Sequence, residues 1–135
     1  MKRIVYTNAY GTVSVVIPAP SSGLTLDDVI AKDVPAGMDC RVINTTELPT
    51  DRIFRAAWEL LDTGLSENLV KSKLVAHDMR RQRRDDEMKP LDVLATVPQY
   101  AVKAEKDRQA VRDKYAVMQV VIDGCMTVLE LRAVL

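Results

Sequence analysis

Two stretches of this sequence have helical spacing yet carry charge on every face. Residues 80 to 87, RRQRRDDE, set four arginines before three acids, and KAEKDRQAVRDK from 103 to 114 interleaves both signs. A helix that is polar all round has no stripe with which to build a core, so such segments need each other or a partner. Tyr100, Ala104 and Val111 supply only a narrow seam. Opposite charges one turn apart can pair, and the spacing predicts Arg81 with Asp85 and Arg83 with Glu87. The first of these helices is expected to start at Ser66, with Leu65 and Val70 stapling its entry, and to kink or break at Pro90. The second is expected over 98–113, opened by a Thr96/Gln99 capping box around Pro98.

The rest of the chain has stronger local signals. Ile4, Val5 and Tyr6 lead into Asn8-Ala9-Tyr10-Gly11, and Val13, Val15, Val16 and Ile17 follow, which reads as a hairpin stopped by Pro18 and Pro20. Thr25 and Asp28 form a capping-box pair that opens a short helix ending before Val34-Pro35. Residues 40 to 44 alternate as a third strand. From Thr50, with Asp51 at the positive end of the dipole, Ile53, Phe54, Ala57, Trp58 and Leu61 recur on one helical face until Gly64. That pattern predicts an amphipathic helix with Phe54 and Trp58 as core anchors. Met118 to Ile122 form an apolar patch, and Thr127 to Glu130 is a further capping box opening a terminal helix. The expected class is α+β: a small β-rich unit over 1–47, then a helical region over 48–135 containing the charged helical pair.

Chemistry is thinly represented. The 135 residues hold 19 Lys+Arg against 19 Asp+Glu, a formal net charge of zero, which disfavours a general nucleic-acid binder. Cys40, Cys125 and the single histidine, His77, lie on three different segments without metal-ligand spacing, and the isolated glycines make no phosphate loop. We therefore expect no catalytic residues, no metal and no cofactor, and a reducing compartment. No stretch reaches the roughly 18 apolar residues of a membrane helix, and the start lacks the apolar segment of a signal peptide. Function is expected instead on the charged helices. Arg80, Arg81, Arg83, Arg84, Arg108 and Arg112 are the candidate partner-binding residues, because guanidinium groups are weakly hydrated and pair bidentately with carboxylates.

The blocks LPTDRIFRAAWE (48–59), HDMRRQRRDDEMKPLD (77–92), EKDRQAVRDKY (105–115) and DGCMTVLELRAVL (123–135) resemble the ordered blocks of small proteins encoded by tailed bacteriophages and prophages. The opening IVYTNAYGTVSVVIPAP and the DVPAG turn are similar to the start of the same proteins, so the resemblance covers nearly the whole chain. The later helices also loosely resemble phage tail-assembly chaperones, with Val111-Arg112-Asp113 standing where Leu-Arg-Asp is expected. The resemblance implies a virion-associated structural or tail or tail-fibre accessory protein, assembled in the host bacterial cytoplasm. Its partners would be other virion proteins and copies of itself. A tail-assembly chaperone absent from the particle, a head-decoration protein and a small nucleic-acid-binding regulator are the alternatives.

Overall fold

Asn8 turns the chain back on itself. In the computed structural model, which describes every residue from Met1 to Leu135, its Oδ1 accepts from the N–H groups of Tyr10 (3.0 Å) and Thr12 (3.2 Å). Its Nδ2 donates to Thr12 Oγ1 (2.8 Å) and Ser14 Oγ (3.0 Å), and Gly11 supplies the φ of +76° that completes the loop. The turn joins β1 (Lys2–Thr7) to β2 (Val13–Val16) with Val5 opposite Val15. β3 (Cys40–Asn44) pairs antiparallel with the other edge of β1, giving the order β2-β1-β3. Between β2 and β3 lies α1 (Leu26–Asp33), begun by the reciprocal capping box of Thr25 and Asp28. The two backbone and side-chain bonds with Thr25 hold the Asp28 carboxyl below the usual carboxylate range.

The amphipathic helix expected from Thr50 does not form. Asp51 accepts from the Ile53 N–H at 3.1 Å in a local turn, a single 3₁₀ turn covers Arg55–Ala57, and the chain then enters a hairpin of β4 (Trp58–Leu61) and β5 (Gly64–Glu67). Leu60 pairs with Leu65 and Leu61 with Gly64 around a two-residue loop, Asp62-Thr63, with Gly64 at φ +126°. Leu-Asp-Thr-Gly-Leu is thus a turn between strands and not the end of a helix. Ile53 and Leu61, assigned to the buried helical face, are 40% and 43% exposed. Phe54 and Trp58 are buried all the same. Trp58 joins Val5, Val13, Ile43 and Leu48 in one cluster, with Val15, Leu60 and Leu65 against it. Ile4 and Val5 alternate along β1 and neither touches solvent, so both faces of the central strand are covered.

Because β4 and β5 pack into this core, the first compact unit runs to Asn68 and the second is residues 69–135. The division at 47/48 expected from sequence is corrected accordingly, and 48–68 belong with the sheet. The second unit is helical: α2 (Leu69–Ala95), α3 (Ala101–Gly124) and α4 (Val128–Val134). Ser66 lies in β5, so α2 starts three residues after the position expected. It also continues through Pro90, which is exposed near the helix end, where water can serve the carbonyl that the missing N–H leaves free. No capping box forms at Thr96, whose hydroxyl donates back to Val93 O at 2.7 Å. The Met118–Ile122 patch is the last part of α3, not a separate segment. The chain is therefore α+β, sheet first and helices after.

Candidate protein-binding surface

α3 repeats its inward positions at alternating three- and four-residue steps. Ala101, Ala104, Arg108, Val111, Tyr115, Met118 and Ile122 are all buried or half-buried, the spacing of a coiled-coil seam. α2 answers with Ser72, Ala76 and Arg80, all buried, followed by the half-buried Arg84, Glu87 and Leu91. Small residues at one end allow close approach of the helices. Toward the middle the seam becomes polar.

Three cross-links fix the antiparallel register. His77 Nε2 lies 2.7 Å from Asp123 Oδ1, while Lys73 Nζ donates to the Asp123 main-chain oxygen at 2.8 Å. Glu87 Oε1 accepts from Lys114 Nζ (2.8 Å) and from the hydroxyl of buried Tyr115 (2.7 Å). Arg108 ion-pairs with Asp92 across the helices at 2.9 Å. The bonds from Lys114 and then Tyr115 hold the Glu87 carboxyl below the ordinary glutamate range; burial, then Glu87, pushes the Tyr115 phenol up. The Glu87 bond likewise raises Lys114.

The six candidate arginines divide. Arg81 is exposed and reaches back to Asp78 at 2.8 Å, not forward to Asp85, and Arg83 donates to the Leu135 main-chain oxygen at 3.0 Å, not to Glu87. The expected i, i+4 pairs are thus replaced, Glu87 being claimed by α3. Arg84 pairs with its neighbour Asp85 at 3.3 Å. Arg112 donates to Glu105 at 2.9 Å and Arg108 to the same carboxylate at 2.8 Å, which keeps Glu105 below its ordinary range, Arg112 contributing most. Arg80 is only 5% exposed, which corrects its assignment as a surface contact. Arg80, Arg84 and Arg112 come together at one cleft of about 110 Å³ with Tyr115, Ala116 and Gln119; Arg81, Arg83 and Arg108 do not line it. Exposed pairs within one helix, as these are, contribute little stability.

Sequence reasoning did not identify the apolar side chains that this unit leaves uncovered. Val70 and Leu74 on α2, Val117 and Val120 on α3, and Met126 and Leu129 around α4 are all more than half exposed. They sit at i, i+3 and i, i+4 spacings, which alone do not separate a face turned to a core from one turned to a partner. A shallow depression of about 730 Å³ runs along a face of α3 from Val102 to Asp113 and is lined by that helix alone. His77 pairs with Asp123, and no side chain hydrogen-bonds its buried Nδ1. Cys40 and Cys125 are free thiols, and no group of three His, Cys, Asp or Glu is placed to hold a metal ion. No helix is long and apolar enough to cross a membrane. No family model, curated protein or solved structure matches the chain.

Proposed function

We propose that this protein is a virion-associated structural or tail accessory protein of a tailed bacteriophage, acting by protein–protein binding and catalysing no reaction. The observation that carries the binding role is the pairing of internally satisfied charge with uncovered apolar surface on the helical unit. Most of its arginines find partners within the unit, while Val70, Val120 and Leu129 are 70%, 71% and 76% exposed. Exposed aliphatic side chains bordered by charged ones have the composition of an interface core and rim. The phage assignment itself rests on the resemblance of the sequence blocks. Pairing of Arg81 with Asp78 and of Arg108 with Glu105 and Asp92 also takes charge away from the extended phosphate contacts that a nucleic acid needs, which favours a protein partner.

Quantitative mass spectrometry of purified particles tests this reading. A virion component appears at a fixed copy number per particle. Abundance in infected cells with absence from particles would assign the chain to tail-assembly chaperones instead, and tight, steeply salt-dependent DNA binding would assign it to the regulators.

A further inference from the structure

Arg80 is a buried cation without a counter-ion. The residue is only 5% exposed, its Nε makes no hydrogen bond, and no carboxylate lies within ion-pairing distance. Burial, then the neighbouring charges of Arg81 and Arg84, holds its proton less tightly than usual. Asp123 is the one carboxylate whose charge offsets it, and Asp123 is already engaged by His77 at 2.7 Å. A guanidinium buried to this degree is costly when only the more distant charge of Asp123 offsets its desolvation and its Nε has no partner. The other arginines at the cleft do not relieve it. Arg84 and Arg112 add positive charge at the mouth, and their own partners, Asp85 and Glu105, lie out on the exposed helix surfaces. Gln119 and the Tyr115 ring complete the wall.

We infer that the cleft between α2 and α3 lined by Arg80, Arg84, Arg112 and Gln119 is an oxyanion-binding site that takes a single carboxylate or phosphate group. The volume, about 110 Å³, suits one such group. Guanidinium forks match the geometry of both anions, and the amide of Gln119 can donate one further hydrogen bond. The group has two possible sources, free phosphate or an acidic side chain presented by a partner protein. The site rests on the cleft alone, and only the partner-carboxylate source depends on the proposed assembly role.

The test titrates the full chain with inorganic phosphate and, separately, with acetate, against chloride at equal ionic strength. It follows the arginine Nε–H NMR signals and the melting temperature. Phosphate also stabilises proteins generally by exclusion from their surfaces, so the readout is the difference between wild type and Arg80→Met. Wild type should show saturable shifts of the Arg80, Arg84 and Arg112 signals and a melting temperature that rises with occupancy. Arg80→Met should lose that increment while melting, in chloride, no lower than wild type, since an unpaired buried charge has been replaced by an apolar chain of similar length. Arg112→Gln, which keeps Arg80, should weaken phosphate about tenfold. Saturation by phosphate without acetate identifies free phosphate as the ligand; saturation by both, with phosphate dissociating the assembled protein, identifies a partner carboxylate. No saturable shift with either anion, or an equal increment in Arg80→Met, overturns the site.

Discussion

Trp58 shows how a residue's fate can be legible when its setting is not. Size and apolarity mark it for the interior, and it is 1% exposed, with the guanidinium groups of Arg52 and Arg55 over its ring at 5.1 and 4.9 Å. Helical spacing from Ile53 to Leu61 points to the wrong element, because with seven apolar residues in nine a 3.6-residue period is satisfied as readily as a bent strand entry. The deciding signal is the Asp62-Thr63-Gly64 turn, whose glycine serves a hairpin as well as a helix end. Trp58→Ala should cost about 3–5 kcal/mol by opening a cavity in the sheet core, measured by denaturant unfolding. An unchanged midpoint would show that Trp58 is not an anchor. At Tyr115 the relevant group is the hydroxyl: Tyr115→Phe should cost about 1–2 kcal/mol by removing a hydrogen bond to a charged acceptor. The change should leave the Lys114–Glu87 contact in place. Arg80 is the opposite of Trp58, since nothing in RRQRRDDE distinguishes the buried Arg80 from the half-buried Arg84 or the exposed Arg81 and Arg83.

Among the elements, those with reciprocal local chemistry were legible. The Asn8 turn, the Thr25 box and the alternation of 40–44 each leave few backbone alternatives, and each element forms. At Thr127 the hydroxyl accepts from the Glu130 N–H at 3.1 Å, although Glu130 returns its bond to Met126 and not to Thr127. Helix lengths were not legible in the charged region, where a seam of Ala, Arg, Val and Tyr has little hydropathy contrast. The heptad spacing from Ala101 to Ile122 was the usable signal. Acid should loosen this helical hairpin by a definite route. Glu87 and Glu105 have folded pKa values below their unfolded ones, so their contribution is present above the ordinary glutamate range and is lost as pH falls through the folded values. Amide exchange in α2 and α3, corrected for intrinsic rates, should therefore speed up below that range. Glu87→Gln should flatten the dependence, and an equally steep profile in that variant would place its cause elsewhere.

At the scale of the whole molecule, the chain divides into a unit with a closed core and a unit whose apolar side chains are largely outside. Val5, Val13, Ile43, Leu48 and Trp58 hold the first together. The second is held by a polar-centred seam, and its remaining aliphatic surface is what the proposed assembly role would cover. Reversing charge at its edge, Arg81→Glu with Arg84→Glu, should reduce incorporation into particles several-fold while the sheet unit keeps its near-ultraviolet tryptophan signal. Normal incorporation would remove those arginines from the interface. EDTA should leave the melting temperature unchanged, and a drop would reveal a metal contribution. The most direct measurement is hydrogen exchange by mass spectrometry on the free chain and on the chain within purified particles. Residues 70–81 and 117–129 should gain protection on assembly while 2–16 and 58–67 should not. Equal protection of the helices in both states, or gains confined to the sheet unit, would contradict the proposed assembly role.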